Sequence, residues 1–380
     1  MQTCQDAYHT TFISLQEMRD YHREQEAARS KWVRCPVSHM EIEGLDAGSP
    51  LRANLSAFAP EVTTEAVEDT VENLGLAAVV DGVRYPVRET AYKSLLDRAK
   101  IGGSVLPKLK RDQLARILGE CLALSRGEAL VLIRDEKVSA FHSGDDADYS
   151  VLPIVDLLDC LEEQLTTRFP GYQFESGYAD HALSGALFTM PDQKEDLLGT
   201  YAKMLAANGK TTMAAKLEPG IRFVTSDTGV SSAKVSALLM GGSTPIHIGS
   251  CVSVDHRHQA KIKDFSEAAE QLFAQYGETL KRLEHLLEIE LSFPVNAMTR
   301  VCKKLSLPKK AAVEAISMFE MANGIAPATA HDVFLAMQEI PFIMKSEGAP
   351  ESKMMVLEEN LARALTLRWD DYDLPKAVSY

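Results

Sequence analysis

Apolar and polar positions change period several times along the chain, and each change marks an element. Residues 151–167 place apolar side chains every three to four positions, with Leu152, Val155, Leu158 and Leu161 on one face, which predicts an amphipathic helix. The same spacing predicts helices over 89–100 and 110–124, broken apart by Gly102, Gly103, Ser104 and Pro107. A further helix is expected over 64–74, where Thr63 and Thr64 offer caps and acids fill the first turn. Alternation replaces helical spacing in AAVVDGVRYPV, with Asp81 and Gly82 as a hairpin turn, and in 129–133 and 138–141 around Arg134-Asp135-Glu136-Lys137. Strands are also expected over 172–178, 183–190 and 221–224.

The first forty residues read as a polar helix over about 11–31, ending near Trp32, and a turn-rich connection over 34–62. From Asp264 onward strand signals almost vanish. Helices are expected over 265–290, 294–305, 309–322, 329–339 and 353–366, with Asn323, Gly324 and Pro327 stopping one and Ala328-Thr329 opening the next. Short strands and helices alternate without a regular βαβ rhythm, so the expected class is α+β. The expected order is an N-terminal helix and irregular arm over 1–79, a mixed α+β core domain over 80–262 and a helical C-terminal domain over 263–380.

Composition narrows the functional classes. With 46% hydrophobic and 25% charged residues the 380-residue chain has the make-up of folded domains. No stretch nears the roughly 18 apolar residues that cross a bilayer, and the N-terminus lacks a cationic segment followed by an apolar one. A cytoplasmic protein without a membrane partner is expected. Cys4, Cys35, Cys121, Cys160, Cys251 and Cys302 are scattered without a CxxC pair, as reduced core-filling residues would be. A net charge of −14 argues against polyanion binding over the whole surface. Yet residues 84–116 hold nine Lys or Arg against three Asp or Glu, and 299–310 hold five cations and no acid. A basic stripe on an acidic body is the expectation.

The densest candidate chemistry lies between Leu217 and Phe265. Asp227-Thr228-Gly229 is like the turn of an aspartic protease, but such enzymes need two turns whose carboxylates share a proton, and one is present. His247, Cys251, Asp255, His256 and His258 are metal-ligand types. On a strand His256 and His258 would share a face, with Asp145, Asp146 or Asp148 of the HSGDDADY loop completing a site. Asn208-Gly209-Lys210-Thr211 mimics the end of a phosphate-binding loop, but Met204 stands where the first glycine is required, which favours a helix C-cap at Gly209. No hydrolase signature appears and no cofactor is implied. The basic segment combines Tyr85 and Tyr92 with Lys93, Arg98, Lys100, Lys108, Lys110, Arg111 and Arg116, and Arg134 follows on a hairpin. That mixture suits phosphate contacts with base stacking.

Several landmarks recur in a familiar order: Tyr92-Lys93 in a helix, Leu106-Pro107 before Lys108, and LVLIRDEKVSAFHSGDDADYSVLPIVDLLDCL. PGIRFVTSDTGVSSAKVSALL, PIHIGSCVSVDHRH and ARALTLRWDDYDLP follow. Over about residues 80–375 the chain resembles the uncharacterised phage- and plasmid-like proteins, a domain of unknown function common in prophages and conjugative elements. It departs from them at His142-Ser143-Gly144, where similar proteins carry a Leu-Ser-Tyr-like run, and over the first 60 residues. The resemblance implies a mobile-element protein and carries no catalytic residue set across. Joined to the basic segment, it implies a non-catalytic protein that binds single-stranded DNA, as an annealing homo-oligomer in one version. The alternatives are a protein-binding inhibitor of a host defence enzyme, whose acidic surface mimics DNA, and a metal-dependent nuclease using His256, His258 and Asp145.

Overall fold

A computed structural model describes residues 2–145, 148–241 and 245–380. The chain opens with β1 (His9–Phe12) and α1 (Leu15–Glu24), which the Ser14 side chain caps by accepting from the Glu17 amide. A π-helical turn over Gln25–Arg29 leads into β2 (Ser30–Pro36). There follow β3 (Glu41–Gly44), α2 (Thr64–Glu72), β4 (Leu76–Val80), β5 (Val83–Pro86), α3 (Tyr92–Ala99), α4 (Arg111–Leu124), β6 (Glu128–Arg134) and β7 (Lys137–Ser143). These form a first unit of two three-stranded antiparallel sheets, β2-β6-β7 and β3-β4-β5, tied by a bridge between Val87 and Val138. Its core holds Leu76, Val87, Leu95, Leu114, Leu118 and Val131, so α3 and α4 each bury one apolar face.

Both hairpins of this unit turn where expected. Asp81 and Gly82 have φ of 49° and 77°, and Asp135 and Glu136 have φ of 46° and 70°. Two left-handed residues in a row match the twist of a two-residue hairpin. At Asp135 and Glu136 neither residue is glycine, so the turn leans on its side-chain contacts.

The second unit comprises α5 (Ile154–Arg168), β8 (Gln173–Asp180), β9 (Ser184–Thr189), α6 (Lys194–Ala207), α7 (Thr211–Lys216), β10 (Glu218–Thr225), β11 (Ala233–Met240), β12 (Ile246–Val254) and α8 (Ile262–Leu286). Its sheet is antiparallel throughout in the order β1-β8-β9-β10-β11-β12. Strand parity sorts the side chains: Phe223 meets Phe265 of α8 edge to face, while neighbouring Arg222 pairs with Glu358 on the other side. That carboxylate belongs to α13 (Glu351–Ala362), which follows α9 (Pro294–Lys304), α10 (Lys309–Asn323), α11 (Ala330–Met337) and α12 (Glu339–Ser346). Lys234 of β11 pairs with Glu359, so two ion pairs pin α13 over the sheet.

The class is α+β, as the residue pattern predicts, but the cores divide elsewhere than at 79/80 and 262/263. One core runs from Cys4 and Cys35 to Phe141, and the other joins Phe12, Leu15 and Met18 to everything from Leu152 to Trp369. The C-terminal helices share their core with the sheet. The expected N-terminal arm is woven into both units: β1 is an edge strand of the large sheet, and β2 pairs with β6 from Ser30↔Arg134 to Pro36↔Glu128. Trp32 therefore sits on a strand, and the first helix is shorter than 11–31. Strands β11 and β12, not among the expected strands, carry polar residues such as Lys234, Ser236, His247 and Ser253 between their apolar ones, with α8 and α13 packed against the sheet. Among the described residues no helix is long and apolar enough to cross a membrane, and all six cysteines are free.

Tyr276 of α8 reaches into the sheet, where its hydroxyl donates to the Leu238 carbonyl at 2.6 Å and accepts from the Gly220 amide at 3.1 Å. Tyr276→Phe leaves both backbone groups buried and unmet, which costs about 1–3 kcal/mol. The expected outcome is a lower urea midpoint with an unchanged m-value; an unchanged midpoint would contradict this role for the hydroxyl.

Candidate nucleic-acid interface

The two units meet at a cleft of about 540 Å³. Three segments read separately in the sequence converge on it: the turn after Asp227, the DHRH run after β12, and the β7 end with the following loop. The first unit adds Ser94, Asp97 and Arg98 from α3.

Asp227 organises the floor. Its carboxylate accepts from Arg134 at 2.5 Å, with both side chains less than a tenth exposed. Its carbonyl accepts from His142 Nε2 at 2.7 Å and from the Tyr149 hydroxyl at 3.1 Å. A carbonyl can only accept, so His142 carries its proton on Nε2 and leaves Nδ1 as a lone pair. The rings of His142 and Tyr149 stack at 3.6 Å and 7°, and Tyr149 lies 5.7 Å from His256 at 12°. Burial pushes the His142 pKa down to about 4 and lowers that of His256, so both rings are neutral near pH 7. His256 Nε2 lies 3.3 Å from Thr225 Oγ1, and its Nδ1 is buried with no partner.

This geometry revises several expectations. Arg134 is buried and committed to Asp227, so it is removed from the candidate phosphate contacts. That same pair neutralises the carboxylate of the protease-like turn. Strand β12 ends at Val254, so His256 and His258 do not share a strand face; His256 is buried, and His258 is exposed with φ of 57°. Asp145 is exposed and does not line the cleft, and Asp146 lies outside the described residues. His247 and Cys251 line a different cavity near α13. Among the described residues no group of three or more His, Cys, Asp or Glu is placed to hold a metal ion. Lys210 pairs with Asp332 at 2.6 Å and meets His331 Nδ1 at 3.3 Å, while Gly209, with φ of 77°, closes α6. The phosphate-loop likeness is thus a helix end, as Met204 suggested.

Of the basic segment, Arg98 lines the cleft. Lys93, Lys100, Lys108, Lys110 and Arg116 are exposed, Arg98 and Arg111 are half-buried, and none makes an ion pair with a described residue. Elsewhere in the same unit Lys31, Arg52, Arg84, Arg88, Arg134 and Lys137 each pair with a carboxylate. Arg98 Nε is buried without a partner at the cleft wall. Arg111 is partly structural: it donates to the Asn73 carbonyl, and its side chain packs on Gly75, where a Cβ would sit 3.0 Å from Arg111 Cγ. Sequence reasoning missed Tyr149 and the α3 residues Ser94 and Asp97. The available signal for Tyr149 was a lone aromatic ring closing an acidic loop.

No family model matches this chain, and comparison with curated proteins and with solved structures likewise returns no match.

The buried histidines make stability depend on pH. His22 and His142 are held near pKa 4 by burial, whereas an unfolded histidine titrates near 6.5. Between those values the unfolded chain binds more protons, so stability is full above about pH 6.5 and falls as the pH drops toward 4. Each such histidine contributes a slope approaching about 1.4 kcal/mol per pH unit. Urea midpoints should be flat from pH 8 to 7 and fall by pH 5, less steeply in His142→Phe. A midpoint unchanged at pH 5 would contradict the neutral assignment.

Proposed function

We propose that the protein binds single-stranded DNA without catalysing a reaction, laying the strand along the cations of α3, α4 and their connection. The observation that carries this reading is a contrast within one unit: Lys31, Arg52, Arg84, Arg88, Arg134 and Lys137 are each paired with a carboxylate, and the seven cations from Lys93 to Arg116 make no ion pair with a described residue. Unneutralised cations clustered in sequence on two packed helices attract a phosphate backbone locally, even on a body of net charge −14. An unpaired strand is favoured over a duplex because Arg98 of this segment lines a polar cleft that can accept an unstacked base. The resemblance to phage- and plasmid-borne proteins points the same way.

The triple variant Lys93→Glu, Lys108→Glu and Lys110→Glu alters three exposed side chains outside both cores. Fluorescence anisotropy with a labelled single strand across a salt series should show binding weakened at least about tenfold. The slope of log K against log salt should fall by about 2, from roughly 0.7 per lost phosphate contact. Affinity and slope equal to those of the unaltered protein would remove this surface from consideration.

A further inference from the structure

We propose that the cleft between the units receives one unstacked nucleobase bearing an exocyclic amino group, with His142 Nδ1 accepting an N–H and Arg98 holding the adjoining phosphate. The inference rests on the strand-binding reading and adds a base preference to it.

Its starting point is a set of unmet groups around a single cavity. Nε2 of His142 is committed to the Asp227 carbonyl, so Nδ1 is an acceptor, and no hydrogen bond from a described residue occupies it. The turn opposite keeps that edge open. A Cβ on Gly229 would stand 3.3 Å from His142 Cε1 and 3.9 Å from Nδ1, and Gly229 adopts φ of 76°, which side chains resist. In the same cavity Arg98 presents a cation without an ion pair and a buried Nε without an acceptor among the described residues. A bare charged donor in a partly desolvated wall favours an anionic oxygen. A nucleotide supplies both complements in one residue, an anionic phosphate and base-edge N–H donors.

The charge pattern of the cleft selects among bases. Asp97, Asp148 and Asp255 line the cavity beside the histidines. The amino group of cytosine or adenine offers two N–H bonds, one for Nδ1 and one for a carboxylate. Thymine offers a single imino N–H flanked by two carbonyl oxygens, which would face those carboxylates. A simple carboxylate or phosphate ligand would answer Arg98 and leave the histidine lone pair unmet. The low pKa of His142 keeps Nδ1 unprotonated through the neutral range. At about 540 Å³ the cavity falls within the usual range for small-ligand sites, enough for one base with its sugar-phosphate.

The test uses the full chain and labelled oligo-dC and oligo-dT of equal length, at one salt concentration and neutral to mildly alkaline pH. One net hydrogen bond gained at the His142 acceptor corresponds to roughly fivefold tighter binding of oligo-dC. Replacing its cytosines by N4,N4-dimethylcytosine removes both amino N–H bonds without touching the protein, and should bring affinity down to that of oligo-dT. His142→Phe, which preserves a ring to stack on Tyr149, should also level the two sequences. Equal affinities for oligo-dC and oligo-dT, or a preference that survives dimethylation, would overturn the base pocket and leave the cation band intact. Absence of binding to either oligomer at low salt would overturn the strand-binding reading itself, and this inference with it.

Discussion

The ion pair between Arg134 and Asp227 holds the two units of this protein in one arrangement. Arg134 ends β6 of the first unit, and Asp227 begins the turn that leaves β10 of the second. Removing either partner would strand a buried charge, a loss of about 3–5 kcal/mol, which makes the pair a strong constraint on register between the units. Around it lies a seam of further buried charge: Arg88 and Lys137 of the first unit both reach Asp6, and Lys137 also pairs with Asp69. The Gln5 carbonyl accepts from Arg88 and lies 2.9 Å from His181 Nε2, so the N-terminal segment runs between the units as a polar strap. Such a seam costs desolvation on both sides and is retained where geometry matters more than raw stability.

The cleft inherits its shape from that seam. The residue that neutralises Arg134 with its carboxylate uses its carbonyl to orient His142 and Tyr149, so one aspartate sets both the join and the exposed lone pair. Lys93, Lys100, Lys108 and Lys110 belong to the opposite regime. They lie on the surface without an ion pair to a described residue, and on the proposed reading what they gain from a phosphate chain falls as salt rises. On the proposed reading, a desolvated recognition point and a solvated electrostatic track would together hold a flexible strand and sense one of its bases.

Much of the local structure was legible in the sequence. The DG and DE turns, the Thr63 cap and the 151–167 periodicity each declare an element through backbone chemistry that needs no tertiary partner. What stayed hidden depends on long-range pairing. Ser30 to Pro36 becomes a strand only because β6, about a hundred residues later, offers it an edge. Arg134 looks like any hairpin cation until Asp227 arrives opposite it. His256 and His258 seemed a same-face pair, yet β12 stops two residues before His256. The convergence of the Asp227 turn, the DHRH run and the end of β7 on one cavity had no sequence signal beyond each motif's own polar character.

Ultraviolet cross-linking of a 5-iodocytosine-substituted single strand to the intact protein, with peptides read by mass spectrometry, tests the account most directly. Adducts within residues 92–116, together with the cleft residues around Tyr149, are the predicted result. Adducts confined to the second cation cluster, from Arg300 to Lys310, would contradict it, because there Arg300 and Lys303 donate to the Lys376 and Ser379 carbonyls and Lys310 already pairs with Glu347.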